Sequence, residues 1–256
     1  MKVFEDIAAW REERAAQKTT DTLGFVPTMG ALHAGHVSLI RRSRRETDRT
    51  LVSIFVNPAQ FNDPADLEGY PRAVLTDLAL LKAERVDYVL VPRETELYQD
   101  GYRFRVTETH CSDTLEGAHR PGHFEGVLTV VLKLLQLAGA RRAYFGEKDW
   151  QQLQLIRGMA RAFFLSTDIV ACPTVREPSG LAMSSRNVRL ASEHKVRAAS
   201  LFRLLSESTS ATAARTALEA EGFDVDYVED GDARRLAAVR LGGVRLIDNV
   251  SLEGHS

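Results

Sequence analysis

The 256-residue sequence has only two cysteines, Cys111 and Cys172. Two thiols make no disulfide framework, and neither sits in a motif that marks a nucleophile, so both read as small buried side chains. No apolar run approaches a membrane span. The start, Met1-Lys2-Val3-Phe4-Glu5-Asp6, turns acidic too early for a signal peptide, and a cytoplasmic protein is the default expectation. An excess of charge is also missing: the net charge of −2 gives no reason to expect nucleic acid or a membrane surface as a partner. The one basic cluster, Arg41-Arg42-Ser43-Arg44-Arg45, lies along a helical stretch and reads as a solvated face. Lysine is scarce, six against 27 arginines, so Lys148 is one of few. No internal repeat or low-complexity linker is evident.

What is present is ordinary for a soluble domain, with 44% hydrophobic and 27% charged residues, in a chain long enough for one large domain or two smaller ones. Residues 4–18 read as an amphipathic helix with Ile7, Ala8 and Trp10 on its apolar side. Thr22 to Val26 reads as a strand ended by Pro27, and a helix follows from about His36 to Glu46. Leu51 to Val56 is almost unbroken apolar and β-branched, the pattern of a strand buried on both faces in a parallel sheet. A helix over about 73–84 and a strand over 88–91 continue the alternation. Residues 98–121 read as loop, with Arg103 to Thr107 as a possible short strand. Gly126 to Leu137 is a buried helix, Ala143 to Gly146 a strand, and Ile169 to Cys172 the last of the parallel set. Asp149 can cap a helix starting at Trp150. The alternation implies an α/β doubly wound parallel sheet. Beyond a boundary near 175 the character changes. Helical signals run from Ser192 to about Glu221, followed by short strands at 224–228, 237–241 and 244–247. Residues 1–175 and 176–256 are therefore expected to be a parallel α/β domain and a smaller α+β domain.

The chemistry centres on Phe25-Val26-Pro27-Thr28-Met29-Gly30-Ala31-Leu32-His33-Ala34-Gly35-His36. A strand, a Gly-containing turn and a helix N-terminus together suit an anionic group, which meets free backbone N–H groups and the positive end of the helix dipole. Two imidazoles on such a turn can donate to phosphate oxygens. Gly30-x4-Gly35 fails as a P-loop because His36-Val37 stands where Lys-Ser/Thr is needed. A metal reading of His-x-x-His lacks further ligands at suitable spacing.

Four more stretches join it. Phe55-Val56-Asn57-Pro58-Ala59-Gln60-Phe61 puts an amide just beyond a strand's C-terminal end. Arg120-Pro121-Gly122-His123-Phe124 precedes the buried helix. Gly146-Glu147-Lys148-Asp149-Trp150-Gln151-Gln152 carries a lysine and an aspartate on a glycine turn, with Gln152 one helical turn on. Met183-Ser184-Ser185-Arg186-Asn187 is a hydroxyl-rich loop ending in a cation. Taken singly, each has an ordinary reading: a solvated lysine, a loop amide, a helix cap, a serine-shaped turn. Taken together, cations, hydroxyls and imidazoles suit a nucleoside triphosphate, and two glutamines suit a small substrate with hydroxyl and carboxylate groups.

In this order the motifs resemble those of the pantothenate synthetases, the ATP-dependent ligases that join pantoate to β-alanine. Tyr70-Pro71-Arg72, Gly180-Leu181-Ala182 and Arg245-Leu246-Ile247-Asp248-Asn249 add to the match, which runs from residue 25 to residue 249. The resemblance implies a Rossmann-like nucleotidyltransferase domain followed by a smaller lid domain, a homodimer, and a pantoyl-adenylate intermediate. It implies that Met29, Gly30, Ala31, Leu32, His33, Ala34, Gly35 and His36 bind ATP. His36 would be the proton donor or charge stabiliser, with His33 beside it. Gly146, Glu147, Lys148 and Asp149 would hold the nucleotide, with Lys148 on the phosphates. Val175 would meet ATP through its backbone, and Met183, Ser184, Ser185 and Arg186 would close over the phosphates. Gln60 would contact pantoate and β-alanine, Gln152 would contact pantoate, and Mg²⁺ would accompany ATP. From Phe223 onward the chain looks shorter than the family pattern, an expectation of a trimmed lid.

Overall fold

The computed structural model describes residues 1–18, 20–231 and 233–252. The chain divides into two compact units. Residues 1–147 and 151–172 form the first, while residues 148–150 group with the chain from Pro173 onward.

The first unit is built on six parallel strands: β1 (Lys2–Phe4), β2 (Leu23–Thr28), β3 (Arg49–Ile54), β4 (Tyr88–Leu90), β5 (Arg142–Gly146) and β6 (Asp168–Cys172). Their order across the sheet is β1-β4-β3-β2-β5-β6. The central strands are Val-, Ile- and Leu-rich, and helices cover the sheet. Val26, Val52, Ile54 and Val89 pack with Leu39, Ile40 and Leu81 from the helices Ala34–Glu46 and Val74–Ala83. Trp10, fully buried, ties the helix Ile7–Ala16 to the unit by donating from Nε1 to the Leu137 carbonyl at 2.8 Å. The chain runs outward from β2 through β3 to β4, then returns to place β5 on the other side of β2. Reversal of strand order between β2 and β5 opens a crevice at the C-terminal ends of the strands, where open α/β sheets bind ligands.

Several local expectations are corrected. Pro27 lies inside β2, opposite Ser53 of β3. On its other side β2 pairs with β5 only through Gly24 and Phe25, so the missing proline N–H falls beyond the paired stretch of the two strands. Residues 103–107 form no strand. Their backbone is held by side chains instead, with the Phe104 N–H donating to Asp100 Oδ2 and the Val106 N–H to Thr129 Oγ1, both at 2.9 Å. The edge strand β1 was not expected at all; it is short and only partly covered. Cys172 is buried but Cys111 is exposed. The Arg41–Arg45 face is partly engaged: Arg41 pairs with Glu84 at 2.7 Å, and Arg42 reaches the Ala171 carbonyl at 2.6 Å.

The second unit packs the helices Ser192–Ala198, Ser200–Glu207 and Ala211–Ala220 against three antiparallel strands, β7 (Asp224–Asp230), β8 (Arg234–Leu241) and β9 (Val244–Ser251). Leu201, Leu205, Leu218, Val239 and Leu246 lie at its core. No helix among the described residues is long and apolar enough to cross a membrane.

Candidate active site

Strand β2 runs into the histidine loop. Gly30 has φ 79°, and Ala31 follows at φ 49°, a left-handed conformation that costs a non-glycine residue about 1–2 kcal/mol. The loop is fixed by Asp77, which is 2% exposed on the neighbouring helix Val74–Ala83. Its carboxylate accepts from the Ala31 N–H at 2.9 Å and the Leu32 N–H at 2.8 Å. The helix then begins at Ala34, two residues earlier than expected, with His33 as its cap. The Gly35 N–H donates to His33 Nδ1 at 3.1 Å, and the His33 N–H donates to His36 Nδ1 at 3.3 Å. An Nδ1 that accepts carries no hydrogen, so each neutral ring bears its proton on Nε2. The two rings lie 4.1 Å apart between centroids. The arrangement presents two imidazole donors at the N-terminus of a 13-residue helix, whose dipole favours an anion.

The next loop along the sheet follows β3. Asn57, 1% exposed, organises it. Its Nδ2 donates to Gln60 Oε1 at 3.1 Å and to the Gly126 carbonyl at 3.2 Å, and its Oδ1 accepts from the Tyr98 hydroxyl at 2.7 Å. Burial pushes the Tyr98 phenol far up, so that hydroxyl stays a donor at any ordinary pH. The carbonyl of Gln60 accepts from His123 Nδ1 at 2.8 Å, and His123 Nε2 lies 3.1 Å from Arg120 Nη1. A carbonyl cannot donate, so His123 carries its hydrogen on Nδ1 and accepts from the guanidinium. Gln60 is thus held at both side chain and backbone. Its Nε2 keeps two N–H donors and its Oε1 a second lone pair.

After β5, residues 147–149 form a short 3-10 turn leading into the helix Trp150–Ala162. Asp149 therefore lies inside the turn. Gln152 is half-buried on the first turn of that helix, whereas Gln151 is buried and structural: it accepts from the Glu116 N–H and donates to the Cys111 and Thr114 carbonyls. The loops after β2, β3 and β5 leave the same edge of three adjacent strands, so the first unit brings His33, His36, Gln60, Gly146 and Gln152 to one end of the sheet.

Lys148, Asp149, Val175, Met183, Ser184, Ser185 and Arg186 belong to the second unit, and the remaining predicted residues to the first. Lys148 is half-buried on its turn, with Nζ 3.9 Å from Asp149 Oδ1. Val175 and Met183 face each other across a narrow hairpin, the Met183 N–H donating to the Val175 carbonyl at 2.9 Å. Ser184 Oγ accepts from the Arg186 N–H at 3.2 Å. Buried Asn187 closes the loop by donating to Glu177 Oε1 and the Ala182 carbonyl, both at 3.0 Å.

The family model described as pantoate-beta-alanine ligase matches residues 2–251. The chain belongs to that family. The pantothenate synthetase of Bdellovibrio bacteriovorus is 51% identical over 247 residues, 96% of each chain. That of Legionella pneumophila (strain Corby) is 48% identical over 252 residues, covering 98% of this chain and 100% of the relative. Among solved structures, the pantoate-beta-alanine ligase of Francisella tularensis, complexed with beta-gamma ATP and beta-alanine, superposes with a TM-score of 0.94 at 40% identity, covering 98% of this chain and 97% of that one.

This pantoate-beta-alanine ligase joins pantoate to β-alanine using ATP. Several of its supporting residues escape a reading of the sequence. Asp77 sits in an unremarkable Leu-Thr-Asp-Leu run. Gly126 hides in an apolar helix, yet a Cβ there would stand 2.3 Å from the Ala59 carbonyl oxygen and 2.7 Å from the Gln60 nitrogen, so only glycine lets the helix approach the Gln60 loop. The faint signal for Gly126 was a glycine inside a strong helical pattern. Asp77 left none.

Proposed function

We propose that the ligase works in two steps through the residues read from its sequence. The pantoate carboxylate attacks the α-phosphorus of ATP, and pyrophosphate leaves. The β-alanine amine then attacks the acyl carbon of the pantoyl adenylate, and AMP leaves. No enzyme nucleophile is needed, so the protein's task is alignment and stabilisation of the charge that spreads over the phosphates. Met29, Gly30, Ala31, Leu32, His33, Ala34, Gly35 and His36 bind ATP, with His36 and His33 donating to phosphate oxygens. Gly146, Glu147, Lys148 and Asp149 hold the nucleotide, with the Lys148 ammonium on the phosphates. Val175 meets ATP through its backbone, and the loop Met183, Ser184, Ser185, Arg186 closes over the phosphates. Gln152 holds pantoate; Gln60 donates to one substrate and accepts from the other.

The observation that carries this reading is the bonding of the two histidines. Each Nδ1 is occupied by a backbone N–H. Both rings therefore act as Nε2–H donors without first taking up a proton, which is what a transition state gaining negative charge requires. The Francisella relative, a complex with beta-gamma ATP and beta-alanine, adds support for these ligands.

Among the described residues no three His, Cys, Asp or Glu side chains cluster as metal ligands. Magnesium suits such a chain, because it is bound chiefly by substrate phosphates and water, with one or two carboxylates. Bound with ATP, Mg²⁺ would neutralise phosphate charge, while the chain's own residues align the triphosphate. The same reading takes the ligase as a homodimer of the cytoplasm, acting on small molecules and not on nucleic acid; the free thiols of Cys111 and Cys172 accord with a reducing compartment.

The test is exchange of labelled pyrophosphate into ATP. With pantoate present and β-alanine absent, exchange is expected to proceed. Exchange that requires β-alanine would mean a concerted or amine-first reaction and would end the two-step account.

A further inference from the structure

An ammonium on a three-residue turn meets a phosphate reproducibly only if the turn itself is held. In the second unit the group that holds it is Asn249 of β9, 3% exposed. Its Nδ2 donates to the Lys148 carbonyl at 3.0 Å, and its Oδ1 accepts from Arg234 Nη1 at 2.7 Å. The Arg234 guanidinium lies 4.0 Å from the Trp150 ring centroid, two residues beyond Lys148. Strands β8 and β9 therefore grip the turn at both its lysine and its tryptophan.

The preceding residue holds a different element. Asp248, also 3% exposed, takes a bidentate ion pair from Arg176, with Nη1–Oδ2 at 2.6 Å and Nη2–Oδ1 at 2.9 Å. Arg176 follows Val175 and pairs with Ala182, next to Met183, in an isolated antiparallel bridge, and its guanidinium lies 3.6 Å from the Phe202 ring centroid. The Asp248 carboxylate also accepts from the Asn249 N–H at 2.8 Å, which stiffens the dipeptide itself. Successive strand side chains point to opposite faces, so one two-residue step serves two separate elements.

We propose that Asp248-Asn249 is a positioning pair for the ligase reaction. Asn249 sets Lys148 through its backbone carbonyl, and Asp248 sets the Val175–Met183 hairpin through Arg176. The proposal rests on the reading that Lys148 and the Met183–Arg186 loop meet the phosphates. Neither member of the pair touches substrate. The Asp248 charge is matched by Arg176, so its effect on the phosphates is geometric.

Asn249→Asp isolates the Lys148 contact. It keeps an oxygen for Arg234 but sets an acceptor against the Lys148 carbonyl. A displacement of about 1 Å at a reacting group costs up to ~10²-fold, so the pyrophosphate-exchange rate is expected to fall ~10–100-fold, with the KM of β-alanine within twofold of the parent. In a Lys148→Ala background the same substitution is expected to add less than about twofold, because the ammonium it positions is gone. Asp248→Asn acts through the hairpin, so its effect is expected to persist in that background. Should Asn249→Asp fail to fold, by circular dichroism and thermal melting, Asn249→Ala is carried through the same cycle. Intact exchange in the Asn249 variant, or a full multiplication of its effect with that of Lys148→Ala, overturns the proposal while leaving the Lys148 assignment standing. Intact exchange in Lys148→Ala alone removes that assignment, and the proposal falls with it.

Discussion

Asp77 offers the sharpest test of how the histidine loop is built. Its two carboxylate oxygens each accept one backbone N–H, from Ala31 at 2.9 Å and Leu32 at 2.8 Å. Asp77→Asn keeps the shape of the side chain but turns one acceptor into a donor. One N–H keeps its partner, now without charge assistance; the other faces an NH₂ group. A hydrogen bond to a charged group contributes about 1.5–3 kcal/mol, and a buried donor left unmatched costs about 1–3 kcal/mol. Because the two figures describe overlapping losses, the expected total is about 2–4 kcal/mol. The loop also loses the clamp that holds Ala31 at φ 49°. If the whole loss falls on the loop, the ratio of competent to misplaced conformers falls by roughly 30- to 10³-fold, at tenfold per 1.4 kcal/mol.

The assay is kcat for pyrophosphate exchange per folded enzyme, read with a thermal melt. Leu81→Ala is the control. Leu81 is fully buried one helical turn beyond Asp77, and its truncation costs stability by about 2–5 kcal/mol while leaving both Asp77 hydrogen-bonding oxygens in place. Both variants are expected to melt lower; only Asp77→Asn is expected to lose kcat, by at least tenfold. An Asp77→Asn enzyme with parental kcat would refute the idea that the carboxylate sets the loop, whatever its melting temperature.

Loss of one transition-state donor costs ~10²–10³ in rate, so His36→Ala and Lys148→Ala are each expected to lower kcat by that factor with a much smaller change in ATP affinity; steady-state kinetics and nucleotide titration separate the two. Gly126→Ala forces a methyl group against the Ala59 carbonyl and the Gln60 nitrogen, and is expected to raise the KM of pantoate and β-alanine while leaving the ATP KM unchanged. Gln60→Ala should do the same to the substrates without the loss of thermal stability that overpacking brings. The Asp100 carboxyl is held down at about 2, first by the Phe104 backbone N–H and then by the Lys133 ammonium. A folded-state value below the unfolded one, about 4, stabilises the protein above that pH and is lost as pH falls toward about 2. Asp100→Asn is accordingly expected to flatten that acid limb in denaturation curves taken between pH 5 and 2.

The parts legible in the sequence were those whose meaning is local. His33 and His36 are recognisable from spacing because the loop that displays them is made by neighbouring residues, and the central strands announce themselves because both faces are buried. The errors have local causes too. Pro27 looked like a terminator because a proline lacks a donor, but whether that donor is missed depends on where the β2–β5 pairing stops. Residues 103–107 alternate like a strand, yet their N–H groups are taken by Asp100 and Thr129. Cys111 was placed in the core by residue type alone, while its short turn lies outside.

Support for the site is another kind of information. Asp77 acts on an N–H 46 residues away in sequence, and Asn249 on a carbonyl 101 residues away. Nothing in the residue type announces either partner, since a buried aspartate and a buried asparagine serve equally as caps, turns or strand-end bonds. The motif Arg245–Asn249 illustrates the difference. Its letters matched the family, and still no role could be attached to them, because a role appears only when β9 is laid beside the turn bearing Lys148. The side chains read for contact with substrate identify the reaction by their chemistry. Those that hold them identify themselves only through distance, which is why substitutions at Asp77 and Asn249 test the geometry in a way that substitutions at His36 and Lys148 cannot.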